Sequence, residues 1–312
     1  MYDCFETIIR ERWQSTPSMS KGLLDTLGSY TKLAILFGIL SGILVGMGFL
    51  IGGMDYAWMF LALSLGMNML FYFFSDRLVL AASRAKMVSK EEAPELHQMV
   101  EGIAQQAGIP TPRVGIVDSK QPNAFATGRN PQNAVVVVTT GLTQLMDRSE
   151  LESVLAHEVS HVLNRDTLVM TIAVSIATAI SYIGNMIVYS LFWGGAGGDR
   201  DRGGSSLAMM GAAIVAPLAA TLVQLAISRS REYGADESAA RLTKKPMSLA
   251  SALTKIEAYA RGGARLNAQP TTSSLWIVNP FGGAGLSELF STHPPTIKRI
   301  ERLEEIQKRL AQ

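Results

Sequence analysis

One cysteine, Cys4, stands in the whole chain, which argues against an internal disulfide framework and against a thiolate cage for a metal. It reads as a reduced bystander thiol. Charge is scarce as well: 17% of the residues are Asp, Glu, Lys or Arg, against about 25% in soluble globular domains. The net charge is +2 and no dense basic stripe appears, so the chain offers no nucleic-acid surface. Histidine is rarer still, at His97, His157, His161 and His293. What is abundant is apolar: 48% of the 312 residues are hydrophobic, 15 of them methionine. A chain of this length can hold a bilayer part and a soluble core together.

The apolar residues gather in runs. Residues 33–51 and 56–74 carry no charge. As helices at about 1.5 Å per residue, each reaches about 28 Å, close to the hydrocarbon thickness. Gly52-Gly53-Met54-Asp55 joins them tightly, which predicts a transmembrane hairpin. Arg10, Arg12, Lys21 and Lys32 precede it and Arg77, Arg84, Lys86 and Lys90 follow it, placing both flanks in the cytoplasm. Residues 167–193 and 207–227 are again free of charge, with a glycine-rich polar loop at 194–206. They predict a second hairpin, with buried helices capping a chamber as the other reading. Residues 1–32 mix both charge signs and do not start like a signal peptide. Phe5, Ile8, Ile9 and Trp13 share one helical face, which fits either a helix lying on the membrane or a mobile extension.

Between the hairpins the composition is that of a soluble domain. Leu96, Met99, Val100, Ile103 and Ala107 repeat at helical spacing, with Pro94 in the first turn and Gly108 at the end. Residues 114–117, 123–128 and 134–140 read as strands of a small antiparallel sheet. Leu151, Val154, Leu155, Val162 and Leu163 predict a further helix, and Ser149-Glu150-Leu151-Glu152 fits a capping box with Ser149 as N-cap. After the second hairpin come a helix at 249–259, a long loop at 262–285 that can cover a cleft, and a charged helix from Thr296.

The predicted helix after Ser149 carries His157-Glu158-Val159-Ser160-His161. Residues four apart lie on one helical face, so both imidazoles can hold one metal ion, with Glu158 in reach of water on it. Zinc with three protein ligands keeps a fourth position for water and lowers its pKa toward neutrality. A neighbouring carboxylate can then act as general base. The metzincin third histidine is absent, because Asn164 and Thr167 stand where Gly and His belong. His97, His293 or a carboxylate remains. Glu232 and Asp236 are also four apart, so one can bind metal while the other accepts the spare N–H of a ligating histidine. Glu232 is the favoured ligand. His293 can donate to the oxyanion of a tetrahedral intermediate, or simply sit in a helix-capping turn.

His157–His161, the stretch from Ser228 to Asp236 and Ser291-Thr292-His293-Pro294 together resemble the motif set of the HtpX membrane metalloproteases. These are relatives of the CAAX prenyl endopeptidases and other integral-membrane gluzincins. The resemblance covers roughly residues 33–305 and says nothing of the first 32. It implies zinc, one ion per chain, on His157, His161 and Glu232, with Glu158 as general base. It also implies polypeptide substrates, a stress-response or quality-control role, and a multi-pass position in the plasma (inner) membrane. Residues 123–128 would be the sheet edge that receives substrate.

The expected fold is mainly α: four transmembrane helices and a zincin-like α+β catalytic domain. An N-terminal extension would occupy 1–32, the first hairpin 33–74, the catalytic domain 75–166 and 228–312, and the second hairpin 167–227. The zinc site would lie at the cytoplasmic face, because a hairpin returns the chain to the side it left. Other function classes are a CAAX-type prenyl protease and a non-catalytic zinc-binding membrane protein. Intact Glu158 favours the enzyme, since a structural zinc site would not need it. Oligomeric state leaves no mark in the sequence.

Overall fold

A computed structural model describes residues 19–177, 229–262 and 294–311. The surface helix expected at 5–13, residues 178–227 of the second hairpin, the loop from 263 onward and His293 lie outside the described residues. The first helical element, α1, runs over Met19–Ser83 and breaks at Gly52 and Gly53. Gly53 takes φ 70, ψ −149, a conformation that only glycine adopts without strain. The two arms fold back together there. Asn68 donates to Ser41 across them at 3.0 Å, and Leu33, Leu36 and Leu40 pack with Phe71. The helix starts at Met19, within the residues expected as the N-terminal extension.

Gly52–Ser83 is the one described helix long and apolar enough to cross a membrane, where four spans were expected. Tyr30–Gly46 and Thr167–Ala177 are shorter apolar helices. The outer surface of α1 exposes Met54, Trp58, Leu63, Leu65, Met69, Phe73 and Phe74. A contiguous apolar belt of this kind is rare on a surface that faces water. The second arm is also longer than its charge-free run. Its last turns leave the belt and pack on the sheet through Val79 and Leu80.

After α1 come β1 (Lys86–Met87), α2 (Pro94–Ala107), β2 (Arg113–Val117), β3 (Ala124–Thr127) and β4 (Val135–Thr139). The sheet order is β1-β2-β4-β3. β3 pairs with β4 antiparallel, but β2 pairs with β4 parallel, so the sheet is mixed and the antiparallel expectation is corrected. The reason is the connection after β2. Residues 118–123 pass over the end of β4 instead of turning back beside β2. Backbone N–H of Gly141 donates to Ser119 O at 2.8 Å, and Asn123 N donates to Thr139 Oγ1 at 2.8 Å. A Cβ on Gly141 would stand 2.1 Å from Lys120 O, so the crossing requires glycine.

β4 is buried along its whole length because the sheet is covered on both faces. Val136 and Val138 face the helical core, whereas Val135 and Val137 meet Val79, Phe125 and Val174. Next come α3 (Thr140–Leu145) and α4 (Arg148–Leu163), then the described part of α5 (Thr167–Ala177), followed by α6 (Arg229–Thr243), α7 (Pro246–Arg261) and α8 (Thr296–Leu310).

α4 lies at the centre of the soluble core, buried on every side from Leu151 to Val162 apart from Glu152. Its capping box is Asp147 with Glu150, two residues before the expected pair. Asp147 Oδ1 accepts from the backbone of Ser149 and Glu150, and Glu150 Oε2 accepts from Asp147 N. Both boxes fit the sequence spacing. Tertiary structure selects the first, because buried Glu150 also accepts from Ser251 and Lys255 of α7. Glu152 turns outward to Lys245.

Candidate metal centre

His157 and His161 project from the middle of α4, and Glu232 reaches them from the first turn of α6. The three are 3%, 7% and 1% exposed. Nε2 of His157 lies 3.3 Å from Nε2 of His161. Carboxylate oxygens of Glu232 stand 3.7 Å from the first and 3.5 Å from the second. Among the described residues this is the cluster able to hold a metal ion. His97 is elsewhere, its Nε2 3.0 Å from Val88 O.

The donor set fits zinc. Two atoms bound tetrahedrally at about 2.1 Å sit about 3.4 Å apart, which matches the three separations. Two imidazoles and one carboxylate also leave a fourth position open. Charge points the same way. With both imidazoles neutral, buried Glu158, Glu232 and Asp236 outnumber the buried cation Arg299 by two, the charge of one zinc ion; buried Glu150 and Asp166 have their own partners in Lys255 and Arg231. Unbalanced charge of that size in a dry interior is costly.

Each imidazole has a carboxylate behind it. Asp236 Oδ1 lies 3.0 Å from His157 Nδ1, close although not in line for a hydrogen bond. Asp166 Oδ2 lies 3.3 Å from His161 Nδ1. Asp236 is gripped in turn by Arg299, whose Nη2 and Nε donate at 2.6 Å and 2.8 Å. Asp166 is met by Arg231 Nη1 at 3.3 Å. Glu158 is buried within electrostatic reach of Arg299.

The sequence reading placed Asp236 but missed Asp166 and Arg299. Arg299 carried a signal: with Leu303 and Ile306 it repeats at i, i+4 and i+7, the buried stripe of α8. Asp166 carried none beyond its place five residues after His161.

The electrostatics of the metal-free protein follow from these neighbours. Burial pulls the His157 pKa down, but Asp236 and Glu232 outweigh it and raise it to about 9. Burial likewise opposes charge on His161, and Asp166 and Glu232 push it up. Burial raises Asp236, yet Arg299 and His157 hold it down to about 2. His157 is therefore protonated at neutral pH without metal. Zinc takes only neutral imidazole, so binding at pH 7 should release a proton, and affinity should weaken steadily as pH falls below about 9. Calorimetry in buffers of different ionisation heat checks this; zero proton release at pH 7 would contradict it. The sign for folding is opposite in the metal-free chain. Its His157 contribution is complete below the unfolded value near 6.5 and is lost as pH rises through about 9.

Known proteins are similar to this chain in sequence. The family described as Peptidase family M48 matches residues 90–307. The "Protease HtpX homolog" of Pyrococcus furiosus is 53% identical over 280 residues, covering 90% of this chain and 96% of that protein. The "Protease HtpX homolog" of Nostoc sp. is 44% identical over 286 residues, covering 91% and 99%. The crystal structure of S. mikatae Ste24p aligns with a TM-score of 0.47 and 21% identity, over 92% of this chain and 67% of that one. A family match spanning the helix of His157 and the helix of Glu232, and relatives matched over nearly their full length, lead to one conclusion: this chain is a metalloprotease and belongs to peptidase family M48.

Proposed function

We propose that the chain is a multi-pass membrane zinc endopeptidase that cuts cytoplasmic or membrane polypeptides at the cytoplasmic face of the inner membrane. The observation that carries the reading is the buried donor triangle of His157, His161 and Glu232, with sides of 3.3, 3.5 and 3.7 Å. Zinc held by His157, His161 and Glu232 would supply Lewis acidity to a substrate carbonyl and to the attacking water. Glu158 accepts the proton of the attacking water and passes it to the leaving amine. Asp236, held by Arg299, sets its carboxylate 3.0 Å from His157 Nδ1, which favours the proton on that nitrogen and leaves Nε2 for the metal. His293, outside the described residues, is kept as the donor to the oxyanion of the tetrahedral intermediate. β3 pairs with β4 alone among the described strands, and it is taken as the edge to which an extended substrate would add as a strand. Damaged or misassembled proteins are the substrate class. Zinc stoichiometry and casein cleavage by the purified protein, with and without chelator, test the proposal; cleavage that survives complete zinc removal would end it.

Topology is supported by charge. Lys32, at the start of the apolar first arm, is within electrostatic reach of Asp166 and Arg231, which supports a reading with the open end of the first hairpin on the side of the metal centre. Reporter fusions after Lys90 and at the C-terminus should report cytoplasm, and a fusion within residues 194–206 should report the outside. A cytoplasmic signal from that loop would mean that the second pair of runs does not span.

A further inference from the structure

The chain leaves the soluble core at Asp166 and returns to it at Arg229, with 178–228 outside the described residues. Among the described residues, a side-chain contact between Asp166 and Arg231 joins the two ends. Asp166 is the residue before α5, where Met170 N donates to its carbonyl at 3.4 Å. Arg231 lies in the first turn of α6, immediately before Glu232. The carboxylate of Asp166 is buried and divides its oxygens: Oδ2 meets His161 Nδ1 and Oδ1 meets Arg231 Nη1, each at 3.3 Å. Arg165 adopts φ 58 to make the turn that brings Asp166 back beneath α4, with Asp166 N donating to His161 O at 3.0 Å.

We infer that Asp166 is a positioning residue for the metal centre: it holds the Nδ1–H tautomer of His161, with Arg231 fixing the carboxylate from the side of Glu232. The inference rests on the proposed zinc site. A neutral imidazole has one N–H, and whichever nitrogen carries it cannot bind metal. A carboxylate at Nδ1 keeps the proton there and leaves Nε2 for the ion. Arg231 serves a second purpose. It cancels the charge of Asp166, so the buttress adds none to a site whose remaining charges a dication balances. The arrangement also ties the two ends of the 167–228 insertion to two different metal ligands, His161 through Asp166 and Glu232 through its neighbour Arg231.

The test uses the full-length protein in detergent or nanodiscs, with Asp166→Ala, Asp166→Asn and Arg231→Gln. Zinc affinity is measured by competition with a chelator of known strength. The visible bands of the cobalt(II)-loaded protein report ligand geometry, and melting of the metal-free form reports the fold. Outer partners of metal-bound histidines are typically worth about 10–100-fold in metal affinity. Asp166→Ala should lose that much and shift the cobalt bands. Asp166→Asn has one acceptor oxygen for two donors, so it should fall between alanine and wild type. Arg231→Gln should weaken zinc less than Asp166→Ala. Asp166→Asn decides the matter if the alanine variant does not fold. Zinc affinity within twofold of wild type and unchanged cobalt bands would overturn the inference, even with a lower melting temperature, because that is what a purely structural tie predicts. A wild-type protein that took up no zinc would instead defeat the metal site itself.

Discussion

Glu158→Gln is expected to leave one zinc per chain and reduce peptide hydrolysis by about 10²–10⁴, to the edge of detection. Glu158 follows a proposed ligand on α4 but is not one of the three donors. Glutamine keeps its size and hydrogen-bonding shape, so packing in the buried position should hold. What glutamine lacks is a carboxylate that can take a proton near neutral pH. The attacking water then has no base, and the leaving amine has no acid. Substrate should still bind, so the variant should trap polypeptides that the wild type cuts. The measurement is cleavage of a denatured protein beside elemental analysis of the same sample. Hydrolysis at the wild-type rate would remove Glu158 from the mechanism. Equal inactivity of both forms would favour a structural zinc site.

Glu232→Ala should have the largest effect on metal. Among the described residues it removes the one proposed donor from outside α4, leaving two imidazoles on one helix. The loss should exceed the roughly 100-fold upper range for outer partners, because a bond to the ion itself disappears. It also removes one of the negative charges that a dication offsets, so charge and coordination act in the same direction. Arg299 keeps both of its bonds to Asp236, so the cation is not orphaned. The variant should therefore melt close to the metal-free wild type, well below the zinc-loaded one. Full zinc in purified Glu232→Ala would overturn its place as third ligand, and His293 would be next.

Much of the site was legible because it is local. Spacing of four on one helix is set by backbone geometry alone, so His157 with His161, and Glu232 with Asp236, could be paired before any tertiary contact was known. Helix ends marked by Pro94, Gly108 and Thr296 were legible for the same reason. The misses needed three dimensions. Whether β4 runs parallel to β2 depends on a loop crossing over a strand end, which no periodicity records. The choice of Asp147 over Ser149 as N-cap depends on Lys255, which follows more than a hundred residues later. Asp166 stands just past the end of α4, and its chemistry appears only when Arg231 arrives from the far side of the insertion.

The length of the second α1 arm has a consequence for what can be cut. From the break at Gly52 to Val79, which packs beside Phe125 of β3, the helix climbs about 40 Å. In the proposed topology the hydrocarbon layer takes about 30 Å of that. At most about 10 Å then separates the bilayer core from the substrate-receiving edge, and tilt only narrows it. That clearance is about three extended residues at roughly 3.3 Å each. No folded domain fits into such a slot, whereas a loose tail hanging from a membrane span reaches it almost at once. In that topology the helix would work as a spacer bar, sorting by thickness before any side chain is read.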